Sequence, residues 1–523
     1  MLTTSRPRPR LALLVCVLSS SLVGLDSLMS TVALPAIARD LDAGLAVQQW
    51  VVAAFLLGLG SLLLVGGALG DAYDRWAIMG IGTAGFGIAA LACALAPTAP
   101  VLIAARLVQG AAAALTVPAA LSLITATFEG EERSRAIRSW TAWSGVSVVV
   151  GPLLGGVLVD AISWRATFAI LVPLSAVVLV LVARGAPSPL PRGAGTAIDR
   201  VGALLGVVLV GGPVFALIQG PELGWTHPLV LGAAAAGGMS AWAFLHWERR
   251  AVNALLPLGL FRSRAFSVLS VVTFVLYGAL IASGVYTVLF LSQTAGYSST
   301  AAGLAAAVPI VVLFVLSPWL GSLSDRSSPR LFVAGGALVA GAGILLLLRV
   351  DADADFVGAV LPSVLLHGIG LTMLVAPLTA GVLGAAGDEH AGVASGFNSA
   401  VARIGSLLGV AVVGLVVSAQ FSASVDRLVG DQPAVERVAQ QARERPLVAA
   451  PAGDLPAAQR AELAQDLRSA SLDAFRLGVV VIGGLAVLAA LLAFVGMPGR
   501  CRLPAAGCPG GALAGAHRDL EPA

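Results

Sequence analysis

The chain has 523 residues, of which 58% are hydrophobic and only 11% charged, with a formal net charge of +3. About a quarter of the residues of a soluble globular protein are charged, so that class is excluded, and so small a net charge indicates no nucleic-acid partner. A mean hydropathy of +0.93 and apolar runs of about 20 residues from end to end predict a polytopic, all-α membrane protein; a transmembrane barrel would show short alternating segments.

Every basic residue is Arg. Without Lys there is no Schiff-base or lysine nucleophile, and the Gly-x-x-x-x-Gly-Lys phosphate loop of an ATP-driven pump is impossible. Cys16, Cys93, Cys501 and Cys508 have no metal-site spacing and read as free thiols. No metal or bound cofactor is expected.

The N-terminus, with Arg6, Arg8 and Arg10 before an apolar run, imitates a secretory signal. The run 11–35 is too long for one and reads as a retained first helix with its basic end in the cytoplasm. Inside it lies Asp26. On a helix Asp26 and Ser30 each fall within roughly 20° of Ser19. An ionisable group in a membrane span faces a bundle interior or a water-filled cavity, so Asp26 calls for such a cavity and a partner.

About fourteen spans follow the usual length of roughly 20 residues: 11–35, 48–69, 76–96, 100–122, 138–160, 165–184, 201–219, 228–247, 267–291, 301–323, 331–349, 357–383, 398–420 and 474–496. The connections predicted inside hold Arg75, Arg133, Arg135, Arg184, Arg192, Arg200, Arg249, Arg250, Arg262, Arg264, Arg326 and Arg330; the short outside ones offer Arg39, Arg165 and Arg349. This positive-inside bias, with an even number of spans, predicts both termini in the cytoplasm. Segment 421–473 reads as a polar, partly helical extracytoplasmic loop, helical for example from Pro433 to Arg445. The Pro- and Gly-rich tail 497–523 reads as disordered.

An internal repeat organises the chain. Gly67-Ala-Leu-Gly-Asp71, followed by Arg75, recurs as Gly321-Ser-Leu-Ser-Asp325 followed by Arg330. The recurrence predicts two six-helix halves, 1–184 and 248–496, with a linker and an inserted helix pair over 185–247. Parallel repeats of this kind are a transporter architecture with sites at the midplane between the halves. In the first loop Gly67 lets a neighbouring helix approach closely, Asp71 can sit on a positive helix N-terminus, and Arg75 can pair with a carboxylate or a helix C-terminus. Such contacts would lock one conformation and release in the other.

In the fourth span Arg106, Gln109 and Gly110 share a face. A guanidinium does not deprotonate, and among the spans Asp26 is the carboxylate well inside one, so Arg106 is expected to pair with it. In the fifth span Gly145 precedes Gly151, Pro152, Gly155 and Gly156, a small-residue face for tight helix contact with a proline kink. His367 in the twelfth span can titrate near neutrality when exposed or serve as a helix-contact donor. Asn398 and Ser395 can line a cavity from the second half or cap the thirteenth helix. Tyr277, Tyr286, Gln293 and Trp140 suit lining or interface positions.

These stretches together resemble the major facilitator superfamily, in particular its fourteen-helix drug:proton antiporter branch. Leu25-Asp26 with Val32-Ala-Leu-Pro35 resembles that branch's first-helix motif, whose aspartate couples to protons; Leu28 and Thr31 depart from the usual Thr and Asn. Gly67 to Arg75 resembles the signature loop, with Asp74 and Trp76 as departures. Arg106 to Gly110 resembles the fourth-helix motif implicated in proton transfer, and Gly145 to Gly156 the antiporter motif. The likeness continues through Trp164-Arg165, Phe168, Ile170, Pro173, Gly224-Trp225, Leu255 to Pro257, Phe261, Arg262, Phe266, Gly392 to Asn398 and Arg403.

The resemblance implies a major facilitator fold driven by the proton gradient, with Asp26 and Arg106 in proton coupling. It implies a multi-pass protein of the cytoplasmic membrane, functional as a monomer, that exports a drug-like or antibiotic amphiphile. Ser30, Gln109, His367 and Asn398 are candidate cavity residues. With one carboxylate deep in a span, the cargo is expected to be neutral, anionic or monocationic rather than a dication. The alternative in the same fold is a proton-coupled uptake symporter for a small organic solute. A membrane enzyme would need converging nucleophile, base or metal ligands, and the spans offer only isolated Asp26, Arg106 and His367.

Overall fold

The computed structural model describes residues 9–185, 199–251, 258–326, 328–351, 355–387, 391–429, 442–443 and 457–497. A bilayer core offers no water to backbone polar groups, so spanning segments must satisfy them internally as helices. Among the described residues there are fourteen helices long and apolar enough to cross a membrane. They are α1 (Pro9–Asp40), α2 (Leu45–Ala72), α3 (Arg75–Ala94), α4 (Ala99–Thr127), α5 (Gly130–Ala161), α6 (Trp164–Gly185), α7 (Arg200–Leu223), α8 (Pro228–Glu248), α9 (Arg264–Gln293), α10 (Ser299–Arg326), α11 (Pro329–Leu346), α12 (Phe356–Ala386), α13 (Ala391–Val429) and α14 (Ala457–Gly496). The described residues contain no strand.

Several boundaries shift from the sequence expectation. α1 runs five residues beyond Pro35, to Asp40. The segment 421–473 is helical at both ends, because α13 continues to Val429 and α14 starts at Ala457. The stretch Pro433 to Arg445 lies almost wholly outside the described residues, as do Arg6, Arg8, most of the break before α7, Leu255 to Pro257, Cys501, Cys508 and the tail from 498.

Helices α1 to α6 pack on one another, as do α9 to α14. The pairings recur with an offset of eight helices: α5 lies on α1 and α13 on α9, while α4 lies on α2 and α12 on α10. The two bundles meet along two principal seams, α5 against α10 and α2 against α13. Helix α7 covers the second seam by packing on both α2 and α13, with Trp50 tilted against Phe215 at 6.0 Å, and α8 rests mainly on α7.

Small residues set the closeness of these pairs, since between lipid-facing helices van der Waals packing replaces the hydrophobic driving force. A Cβ at Gly110 would strike the Phe55 carbonyl, and one at Gly58 would lie 2.8 Å from the Ala111 nitrogen. In the second bundle Gly278 of α9 and Gly409 of α13 likewise stand backbone to backbone. A Gly58→Val substitution is expected to push α2 from α4 at a cost of about 1–3 kcal/mol, read as a lower melting temperature of the purified protein in detergent. An unchanged melting temperature would show that this contact is loose.

Candidate functional site

The midsection of α1 presents Asp26 to α4, and both Asp26 and Arg106 are 1% exposed. Arg106 Nη1 donates to Asp26 Oδ2 at 2.6 Å. Gln109, one helical turn along α4, donates from Nε2 to Asp26 Oδ1 at 3.1 Å and accepts from Arg106 Nη1 at 2.8 Å. The remaining guanidinium donors reach other helices: Nε donates to the Val51 carbonyl at 3.0 Å and Nη2 to Ser30 Oγ at 3.2 Å. Cys93 on α3 donates its thiol to Gln109 Oε1 at 3.6 Å.

Aromatic rings complete the enclosure. The Phe55 ring lies 4.4 Å from the guanidinium carbon and Phe168 lies 5.6 Å from it, so a desolvated cation gains ring-face contacts. Residues from α1, α2, α3, α4 and α6 therefore converge on one ion pair. Buried charges persist only when paired and hydrogen-bonded, and here both carboxylate oxygens are satisfied.

Between the two bundles lies a cavity of about 250 Å³. Its wall includes Phe55 and Arg106 from the first bundle and Tyr277, His367, Arg403 and Ser406 from the second. Arg106 thus faces the cavity while holding Asp26 on its other side. Of the four residues expected to line the cavity, His367 does so; Ser30, Gln109 and Asn398 do not. Ser30 and Gln109 stand behind the wall because Arg106 and Asp26 take up their polar atoms, and Asn398 is turned to Thr273, whose hydroxyl donates to its Oδ1 at 3.0 Å. A larger recess of about 550 Å³, lined by Asp42, Gln49 and Ser418 among others, opens where α1 ends and holds no member of the ion-pair network.

In α5 the small residues face two neighbours. A Cβ at Gly151 would lie 3.1 Å from the Leu25 carbonyl oxygen, and one at Gly155 would lie 2.9 Å from Met29 Cα, so this side lies directly on the Asp26 stretch of α1. A Cβ at Gly156 would lie 2.6 Å from Thr300 Cα of α10, Pro152 presents its carbonyl to Gly303, and Gly145 leaves room for the Phe314 ring. One helix therefore touches both the ion-pair helix and the opposite bundle.

The signature loops differ in detail from the expectation. Gly67 and Asp71 belong to the last turns of α2, and Gly66 rather than Gly67 makes the close approach, onto the Ala114 carbonyl; a Cβ at Gly67 would meet only Pro118, at 3.9 Å. Asp74, a departure from the family pattern, caps α3 by accepting from Ala77 N at 2.7 Å. Nε of Arg75 finds no hydrogen-bond partner among the described residues. A Cβ at Gly321 would meet open space. The side chains of Asp71 and Asp325 lie outside the described residues.

The bundles are joined at the end where α1 and α5 finish. Asp160 accepts from Ser299 N at 3.1 Å and from Thr300 N at 2.8 Å, on the positive N-terminus of α10. Gln293 donates to Gln48 at 2.7 Å, and Gln49 donates to Tyr286 at 2.9 Å, whose hydroxyl donates to the Val410 carbonyl at 2.8 Å. Asp160, Gln48 and Gln49 were not singled out from sequence as interface residues. Their signal was a polar residue just inside a span end, which many solvated ends share.

This arrangement, two helical bundles around a central cavity with a buried ion pair at its wall, defines a multi-pass integral membrane transporter. The chain belongs to the Major Facilitator Superfamily, whose family model matches residues 16–410. It is 34% identical over 425 residues to the multidrug resistance protein Stp of Mycobacterium tuberculosis, covering 80% of this chain and 77% of that one. It is 30% identical to the tetracenomycin C resistance and export protein of Streptomyces glaucescens, covering 93% and 91%. A crystal structure of a bacterial homologue of the human lysosomal transporter Spinster, inward-facing and unoccupied, shares the fold with a TM-score of 0.67 at 20% identity, covering 94% of this chain and 97% of that one. The protein is thus a secondary transporter that moves a small organic solute at the expense of an ion gradient.

Removing one member of a buried pair strands the other charge, at about 3–5 kcal/mol. Arg106→Gln is therefore expected to melt well below the wild type, and the double variant Asp26→Asn with Arg106→Gln to recover much of the loss. A double variant no more stable than Arg106→Gln would mean that the two side chains are not coupled.

Proposed function

We propose that the chain exports a drug-like or antibiotic amphiphile across the cytoplasmic membrane in exchange for protons, by alternating access. The observation that carries this reading is the double position of Arg106, on the cavity wall and on Asp26 at once. A proton reaching Asp26 from outside neutralises the carboxylate, loosens its hold on Arg106 and favours return to the inward-facing state. Cargo entering from the cytoplasm or inner leaflet alters the Arg106 side of the same pair and displaces the proton. Each ligand thus biases a two-state element that the other also biases, which is what coupling requires.

The halves in this scheme are 1–184 and 248–496, with 185–247 as linker and inserted pair. With both termini in the cytoplasm, the contacts of Asp160 with Ser299 and Thr300 close the outer face. The small residues Gly145, Gly151, Pro152, Gly155 and Gly156 let α5 slide and pivot against α1 and α10. Gly67, Asp71, Arg75, Gly321 and Asp325 act at the inner face as the conformational latch, joined by Asp74. Export rather than uptake is supported by the small-residue face of α5 and by the resistance and export roles in the relatives' names. The transporter works as a monomer, with protons, the amphiphile and the bilayer as its partners.

The test is a susceptibility panel in a pump-deficient host, paired with solute accumulation in everted vesicles energised to an acidic interior. Wild-type protein should confer resistance and fill the vesicles, whereas Asp26→Asn at equal expression should fall to the empty-vector level in both. Proton-driven accumulation by Asp26→Asn would overturn the assignment of Asp26, and solute loss from acid-loaded vesicles would reverse the direction.

A further inference from the structure

Among the described residues, the wall of the central cavity carries Arg106, His367 and Arg403 and no carboxylate. The charge of Arg106 is matched from behind by Asp26 at 2.6 Å. That of Arg403 is not: among the described residues no carboxylate or other acceptor lies within hydrogen-bond distance of its guanidinium, and its electrostatic neighbour is the hydroxyl of Tyr277.

Arg403 is twelve residues into α13 from Ala391, roughly 18 Å of helix. It stands where the bundles meet, its Cβ 3.1 Å from the place a Cβ on Gly60 of α2 would take. A guanidinium keeps its charge at any accessible pH, and an unpaired cation at this depth is expensive. Its guanidinium opens on the cavity, where a molecule that visits can supply the countercharge.

The geometry points to Arg403 as an anchor for an anionic cargo: an amphiphile bearing a carboxylate or a comparable organic oxyanion, held by the guanidinium fork with Tyr277 and Ser406 beside it. The planar fork matches a carboxylate with two parallel hydrogen bonds. Leu280, Ile281, Ile310 and Leu371 supply an apolar wall for the rest of the molecule. Asp26 does not repel such an anion, since it lies behind Arg106 and does not line the cavity. This assignment narrows the cargo class of the proposed exporter and rests on that reading for the identity of the site.

The experiment compares 9-anthracenecarboxylate with its methyl ester, two fluorescent probes that differ in charge at one group, on purified full-length protein. Wild type should bind the carboxylate more tightly than the ester. Arg403→Gln and Arg403→Met should each weaken the carboxylate by roughly 10- to 100-fold, the worth of a charge-assisted hydrogen bond, and leave ester affinity near the wild-type value. Arg403→Lys should retain part of the preference as a point charge. A wild type that does not prefer the carboxylate overturns the inference whether or not any variant folds. So does a neutral variant that binds the ester normally and keeps the preference. Accumulation of the ester in acid-interior everted vesicles separates the two readings. If wild type and Arg403→Gln both accumulate it while the carboxylate preference persists in the variant, the anchor fails and the exporter stands. If wild type fails to accumulate either probe, the exporter reading fails for them, and the binding preference alone judges Arg403.

Discussion

An arginine cannot shed its charge, so a helix that carries Arg106 into the interior of a membrane protein obliges the neighbouring helices to answer it. Five of them do. α1 supplies Asp26 and the Ser30 hydroxyl, α2 the Val51 carbonyl and the Phe55 ring, α3 the Cys93 thiol that ties down Gln109, α4 Gln109 itself, and α6 the Phe168 ring. A buried pair of this kind is weak as a source of stability but strongly penalised when broken. That asymmetry suits a switch, because the neutralisation of one oxygen changes the standing of every group in the network.

The same constraint explains the glycine pattern. α4 must bring Arg106 and Gln109 within reach of α1 across α2, and Gly58 and Gly110 let the α2 and α4 backbones close to contact. Gly151 and Gly155 then lay α5 along the Leu25–Met29 stretch that carries Asp26, while Gly156 and Pro152 carry α5 on to α10. Movement of α5 relative to α10 is thereby mechanically adjacent to the ion pair. On the other seam α7 packs across α2 and α13, so the two seams differ: one is bare, the other is roofed by the inserted pair.

Much of this was legible in the sequence because membrane burial makes polar residues rare and therefore informative. Asp26 and Arg106 stood out against apolar runs, fourteen spans followed from length, and the helical spacing of Ser30 and Gln109 placed them on the right faces. What could not be read were the partners set by helix rotation. Ser30 and Gln109 share faces with Asp26 and Arg106, and sequence spacing does not say whether such a residue meets the cavity or the ion pair. Asn398 found Thr273, and Gly66 took the contact expected of Gly67, a difference of one residue or about 100° of rotation. Helix ends were misjudged where amphipathic turns extend beyond the bilayer, as at Val429 and Ala457, since hydropathy marks the membrane and not the helix.

The central claim is that Asp26 is the group that takes up the proton beside Arg106. Infrared difference spectroscopy on the reconstituted protein tests it directly, by following the carbonyl stretch of a protonated carboxylic acid as the medium is stepped from alkaline to acidic. The account predicts a buried carboxylic-acid band in the wild type that is missing from Asp26→Asn. The same band in both proteins would contradict it.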